Sequence, residues 1–168
     1  MTASMAVILV EAPADACWGE NALLSFNQGC AFIHLSGAQA DWLRLIQRAG
    51  RRLDSQGIKQ LALTGEEWDL ERRYAFCQGF YNPRGGQQLD LGDMSEQEQL
   101  QLDALLETAR WTRQITNATP DDVYPTVLAT EAAKFVAKQA PERVNYHILQ
   151  GEALNELGYT GLYNVGRG

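Results

Sequence analysis

The sequence predicts an α/β fold, and three observations predict it. Two β-rich runs, residues 22–26 and 31–35, flank Asn27-Gln28-Gly29, a strong hairpin-turn signal. An amphipathic stretch over 39–55 then leads, across Gly57, straight into the apolar run 58–63. A hairpin followed by helix and strand implies a layered unit in which the helix crosses over the sheet. The last third of the chain has the order helix, strand, helix, strand, as the opening of a second α/β unit would.

The elements follow in order. Residues 6–10 form a short apolar strand, broken at once by Glu11 and Pro13, and Trp18 and Gly19 lie in the loop after it. The helix over 39–55 carries Trp42, Leu45, Ile46, Ala49 and Leu53 on one stripe, and Gly57 ends it. Thr64 and Glu67 have the spacing of a capping box, so a helix is expected to start there, with Leu70, Tyr74, Cys77 and Tyr81 on one side. Residues 82–86 (Asn-Pro-Arg-Gly-Gly) end it, and 87–91 form one more short strand. Ser95 with Glu98 caps a long helix to about 116, with Leu102, Leu105, Leu106 and Ala109 on one face. Residues 117–120 break it. A helix over 126–139 turns Leu128, Ala132, Phe135 and Val136 inward. Val144, Tyr146 and Ile148 alternate with polar residues as a strand over 144–149 would. A short helix over 152–157 precedes a final strand over 162–165, and Gly166-Arg167-Gly168 reads as the turn leaving it.

These elements divide into an N-terminal α/β domain (1–94), a connector helix (95–117) and the beginning of a second α/β domain (118–168). An apolar strand wants a sheet to pair with on both sides. The expectation is therefore a chain truncated before its chemistry begins.

Composition excludes several function classes. The net charge is −7, from 14 basic and 21 acidic residues, which argues against nucleic acid as a partner. Arg51-Arg52 beside Asp54, and Arg72-Arg73 after Glu71, read as solvated helix faces. No signal peptide or membrane span is legible, and a cytoplasmic location is expected. Cys17, Cys30 and Cys77 are odd in number and widely spaced, so neither a disulfide framework nor a zinc site is implied. Asn117-Ala118-Thr119 matches a glycosylation sequon, which is empty without a secretory route.

No candidate chemistry survives inspection. His34 and His147 each sit in an expected strand without a second ligand at metal spacing. Cys17 precedes Trp18-Gly19 but has no readable catalytic partner, while Cys30 and Cys77 read as small buried residues. Glu66-Glu67 and Asp121-Asp122 are explained by helix N-terminal electrostatics, and Asp90 with Asp93 lacks a companion cation. Gly85-Gly86 precedes no helix, so it is no phosphate cradle. Trp18, Trp42, Trp68 and Trp111 read as core or docking residues rather than ligand stacks. The residues assign no catalytic, no cofactor-binding and no metal position to this chain.

An ordered set of segments resembles the N-terminal region of bacterial cytosolic aminopeptidases of the leucyl aminopeptidase family. The segments are Cys17-Trp18-Gly19-Glu20, then Trp68-Asp69-Leu70-Glu71-Arg72 with Ala75-Phe76 and Gln78-Gly79. Trp111-Thr112-Arg113-Gln114-Ile115-Thr116-Asn117 with Pro120 and Pro125 is similar to the family's inter-domain helix, and 158–168 to the start of its catalytic domain. The resemblance implies a macro-like N-terminal domain, so that 118–168 would begin the catalytic domain. It implies a homo-hexameric metallo-aminopeptidase whose full-length form uses two divalent ions, manganese or zinc, to cleave N-terminal residues from peptide substrates. The partners of this segment would be its own catalytic domain and the other subunits. The family's ligands lie in a Gly-Lys-Gly-Ile/Val-Thr-Phe-Asp stretch and an Asn-Thr-Asp-Ala-Glu-Gly-Arg stretch, and this sequence contains neither. Arg167 only imitates the first, because a guanidinium stays protonated and donates. This chain alone is thus expected to be inactive, with a role in docking, assembly or substrate access. The alternatives are a macro-like nucleotide-binding domain and a stand-alone interaction domain. Residues from about 120 onward would expose apolar faces, which predicts self-association or partial disorder there.

Overall fold

Strand β1 (Met5–Glu11) is the centre of a five-stranded mixed sheet of order β2-β3-β1-β4-β5. The computed structural model describes residues 4–11, 23–139 and 141–166. The chain divides into two compact units, 1–109 and 110–168. In the first, β1 pairs in parallel with β3 (Cys30–Leu35) and with β4 (Gln60–Leu63). β5 (Gln88–Asp90) extends the parallel set beyond β4, and β2 (Leu24–Asn27) runs antiparallel along β3. The expected hairpin is present: Asn27 pairs Cys30 across the two residues Gln28 (φ 49°) and Gly29 (φ 78°). Both turn residues are left-handed, the geometry that matches strand twist.

Alternation along the strands makes one face the core. Val7, Leu9, Ala31, Ile33, Leu35, Leu61 and Leu63 are all buried, while the intervening Ala6, Ile8, Val10, Phe32 and His34 are half-buried. Over the core face lies α1 (Trp42–Ser55), entered through a 3₁₀ turn at Gln39–Asp41. It buries Ile46, Ala49, Gly50 and Leu53, with Trp42 and Leu45 partly buried against the same core. The Gly57 N–H bonds the Asp54 carbonyl at 2.9 Å with φ 81°, which ends the helix as glycine does.

The next helix differs from the expectation. α2 spans Leu70–Phe80, and its N-cap is Asp69, whose carboxylate accepts from the Arg72 N–H at 2.8 Å. The Thr64–Glu67 capping box does not form, because the Thr64 N–H from which Glu67 would accept donates to the Val7 carbonyl of β1 at 2.9 Å. The inward face is Arg73, Ala75, Phe76, Gly79 and Phe80, not Leu70, Tyr74, Cys77 and Tyr81. The crossing with α1 decides this. A Cβ on Gly50 would lie 2.8 Å from the Phe76 carbonyl oxygen, and one on Gly79 would overlap the Gln47 carbonyl. Only glycines allow the two backbones to approach so closely. Phe76 then stands between Trp68 (edge-on, 5.5 Å) and Phe80 (stacked, 5.8 Å), each pair contributing about 1 kcal/mol beyond its area.

At the N-terminal ends of β4 and β5 the elements meet at Asp54. Its carboxylate accepts from Lys59 Nζ (2.8 Å), Gln87 Nε2 (2.9 Å) and Asn82 Nδ2 (3.0 Å). α3 (Glu96–Asn117) starts with the expected capping box: the Glu98 N–H donates to Ser95 Oγ, and the Ser95 N–H to Glu98 Oε2 at 3.0 Å.

The second unit holds the end of α3 and three further helices, α4 (Pro125–Gln139), α5 (Glu152–Glu156) and α6 (Thr160–Gly166). Trp111 stacks on Phe135 at 4.9 Å, and the Tyr163 hydroxyl donates to Glu152 at 2.8 Å. Two expected strands are absent. Residues 144–149 have no regular structure, and 162–165 are helical within α6. No strand exists among the described residues of this unit, so an extended segment would leave its backbone unpaired. The Tyr163 N–H instead bonds the Tyr159 carbonyl at 3.0 Å. No side chain of α4, α5 or α6 is fully buried, and Leu157, Leu162 and Val165 are 62%, 65% and 85% exposed. The expected Cys17–Glu20 loop and the end of the Gly166-Arg167-Gly168 turn lie outside the described residues.

Two predictions follow from the packing of the first unit. Gly79→Ala forces a methyl into the Gln47 backbone and should cost about 3 kcal/mol, read as a lower urea midpoint at unchanged slope. The Lys59 hydrogen bond, with those of Gln87 and Asn82, holds the Asp54 carboxyl below its ordinary value of 3.8 against an opposing desolvation. A depressed carboxyl stabilises fully above its unfolded pKa and loses that contribution as pH falls through the folded one. Asp54→Asn should therefore be less stable than wild type at pH 7, with the gap closing as pH drops below about 4 in urea titrations.

Candidate functional site

Open α/β sheets receive ligands outside the carboxyl ends of their strands. In the first unit a crevice opens beyond β4 and β5, with a volume of about 540 Å³. One wall is Leu63-Thr64-Gly65-Glu66 with Trp68, which follow β4. The other is Gly92 and Asp93, after β5, and Glu98 from the first turn of α3. Gly92 has φ 71°, and a Cβ there would lie 2.9 Å from the Leu63 carbonyl oxygen, so glycine lets the two loops close on each other. The Trp68 indole N–H donates to the Val7 carbonyl at 3.2 Å, which fixes the wall to the central strand.

Arg73 reaches this crevice from α2 and is only 7% exposed. Its Nε–H donates to the Leu91 carbonyl and Nη2 to the Asp93 carbonyl, both at 2.9 Å. Two such bonds contribute about 1.5–3 kcal/mol each, while burying an ion costs several kcal/mol. No carboxylate lies within ion-pair distance of the guanidinium among the described residues. Glu98 feels its charge, but the Ser95 hydroxyl and then the Ser95 N–H are the main causes holding the Glu98 carboxyl low. Arg73 against Glu66, Asp93 and Glu98 leaves the lining with a formal charge of −2.

Arg73 escaped the sequence reading, which placed it with Arg72 on a solvated face. The signal was its spacing: 73, 76 and 80 share the helical stripe that buries Phe76 and Phe80. Arg72 is also engaged, with its guanidinium 5.5 Å from the Trp42 ring and Nη1 donating to the Glu67 carbonyl at 2.7 Å.

The other weighed residues do not gather into a site. His34 lies on β3 with Nε2 2.8 Å from Ser25 Oγ across the hairpin, and burial lowers its pKa. His147 is exposed in the irregular 144–150 stretch. Burial pushes the Cys77 thiol up to about 11, so it is no nucleophile at neutral pH. Cys30 is half-buried at the start of β3, and Cys17 and Trp18 are outside the described residues. Asp122 pairs with Thr119 in a local turn, and Asp90 accepts from the Gly92 N–H at 3.0 Å. Glu66 and Glu67 lie before α2 rather than in its first turn, and Glu66 faces the crevice instead. Among the described residues no group of three His, Cys, Asp or Glu is placed to hold a metal, and no helix is long and apolar enough to cross a membrane.

Known proteins place the chain more sharply than its site does. Residues 6–95 match the model of the DUF3663 family, described as a peptidase. The chain is 42% identical to Peptidase B of Cronobacter sakazakii over 168 residues, which is 100% of this chain and 39% of that protein. Its backbone resembles a mutant of tomato leucine aminopeptidase with a TM-score of 0.58, over 92% of this chain and 43% of the other, at 15% identity. That second likeness is one of fold. The chain thus spans less than half the length of either. With more than half of its residues inside the matched model, and identity to Peptidase B along its whole length, this chain belongs to the DUF3663 peptidase family.

Proposed function

We propose that this chain is the N-terminal, non-catalytic part of a metal-dependent cytosolic aminopeptidase. The observation that carries this is the 42% identity running over the entire chain but only 39% of Peptidase B. In this reading 1–94 is the N-terminal domain, 95–117 the connector helix and 118–168 the beginning of the catalytic domain. The whole protein would remove N-terminal residues from peptides with two divalent ions, manganese or zinc. The stretches that carry those ligands in the leucyl aminopeptidase family are absent from this sequence, so its own residues do not fit the metals. The role left to this part is docking onto the catalytic domain, assembly of a homo-hexamer, or control of substrate access. The second unit supports a docking role, since α4, α5 and α6 bury no side chain completely and Leu157, Tyr159, Leu162 and Val165 are exposed.

The nucleotide alternative draws on the crevice at the strand ends. Its three carboxylates oppose it: two like unit charges ~6 Å apart repel by roughly 3 kcal/mol at an effective dielectric of about 20.

The 168-residue protein is expected to hydrolyse no aminoacyl p-nitroanilide with manganese or zinc present. The coding frame beyond Gly168 should continue into Gly-Lys-Gly and Thr-Phe-Asp. Robust hydrolysis by this chain, or a stop codon there, would overturn the reading. In sedimentation velocity the chain should self-associate with rising concentration, and Leu162→Asp should weaken that association. A monomer at every concentration would count against the docking surface.

A further inference from the structure

We infer that the crevice beyond β4 and β5 is a binding site for a free α-amino acid, recognised as a zwitterion. The inference stands on the crevice alone and holds whether or not the aminopeptidase reading does. A guanidinium has five N–H donors in a planar fork, and Arg73 spends two of them on the Leu91 and Asp93 carbonyls. The remaining donors meet no partner among the described residues, at a side chain more than nine-tenths buried. Buried guanidinium calls for an anion, and a carboxylate matches its fork. Glu98 feels this charge but makes no ion pair with the guanidinium, and its Oε2 accepts instead from the Ser95 hydroxyl at 2.7 Å and the Ser95 N–H at 3.0 Å.

Glu66 and Asp93 line the same crevice, and neither carboxylate has a hydrogen-bond or ion-pair partner among the described residues. A purely anionic ligand would be drawn to Arg73 and repelled by these two. A purely cationic one would meet the reverse. A ligand with one carboxylate and one ammonium a few atoms apart satisfies both signs at once. Leu63 and Trp68 add an apolar wall for its side chain. The volume of about 540 Å³ lies within the usual range for small-molecule sites and leaves room for water beside a ligand of this size.

Isothermal titration calorimetry of the 168-residue protein with L-leucine tests this. Leucine should bind. N-acetyl-L-leucine lacks the ammonium and L-leucinamide lacks the carboxylate, and each should bind at least ~10-fold more weakly. Leucyl-glycine, whose charged ends lie farther apart, should also bind more weakly. Glu66→Gln alters an exposed carboxylate with no structural bond, so it should melt as wild type does while losing about tenfold in leucine affinity. Arg73→Lys keeps the charge but not the fork and should lose at least as much. No heat with leucine at millimolar concentration, equal binding of the N-acetyl or amide analogue, or unchanged affinity in Glu66→Gln would overturn the site. Equal binding of leucyl-glycine would overturn its assignment to a free amino acid. Binding of ADP with leucine silent would overturn it in favour of a nucleotide.

Discussion

The backbone contact between α1 and α2 at Gly50 and Gly79 sets the rest of the first unit. Each glycine faces main-chain atoms of the opposite helix, so neither helix can rotate without a clash. Fixing the rotation of α2 selects which of its two stripes turns inward. Phe76 and Phe80 enter the core, and Arg73, three residues before Phe76, is carried inward with them. The buried guanidinium is thus a consequence of helix packing. Its position above the ends of β4 and β5 follows from where α2 begins, at the Asp69 cap rather than at Thr64.

Two polar nodes sit at opposite ends of the β4–β5 pair, and their chemistry differs. Asp54, at the entry to both strands, has three side-chain donors and a cation among them. Its charge is fully answered, so it ties the C-terminus of α1 to the starts of β4 and β5. Arg73, at the exit from both strands, is hydrogen-bonded only by neutral carbonyls. In an open α/β sheet the exit is the end where ligands bind, and that is where the compensation is left incomplete. The asymmetry separates a structural clamp from a surface available for recognition.

The second unit is built on a different balance. Its order comes from local helical bonds, a Trp111–Phe135 stack and a Tyr163–Glu152 bond rather than from a buried apolar layer. Apolar residues at strand-like and helix-like spacing occur in it together, and apart from the Trp111–Phe135 stack many of them stay exposed, Leu128, Val136, Tyr146 and Ile148 among them. This exposed apolar surface is the observation behind the docking role proposed for the second unit.

The sequence by itself determined the elements whose signals are local. The hairpin at Gln28-Gly29 needs left-handed residues, the Ser95–Glu98 box satisfies its own N–H groups, and α1 carries its stripe at helical spacing. It also determined the kinship, because an ordered set of residues along the chain is itself a one-dimensional signal. The tertiary structure decided what depends on partners distant in sequence. It moved the start of α2 to Asp69, since the Thr64 N–H that a capping box with Glu67 needs is taken by Val7, fifty-seven residues earlier. It turned α2 onto its glycine face, and it buried Arg73, whose crevice is assembled from three separate segments. It also made 162–165 helical, since alternating apolar residues become a strand only when another strand stands beside them.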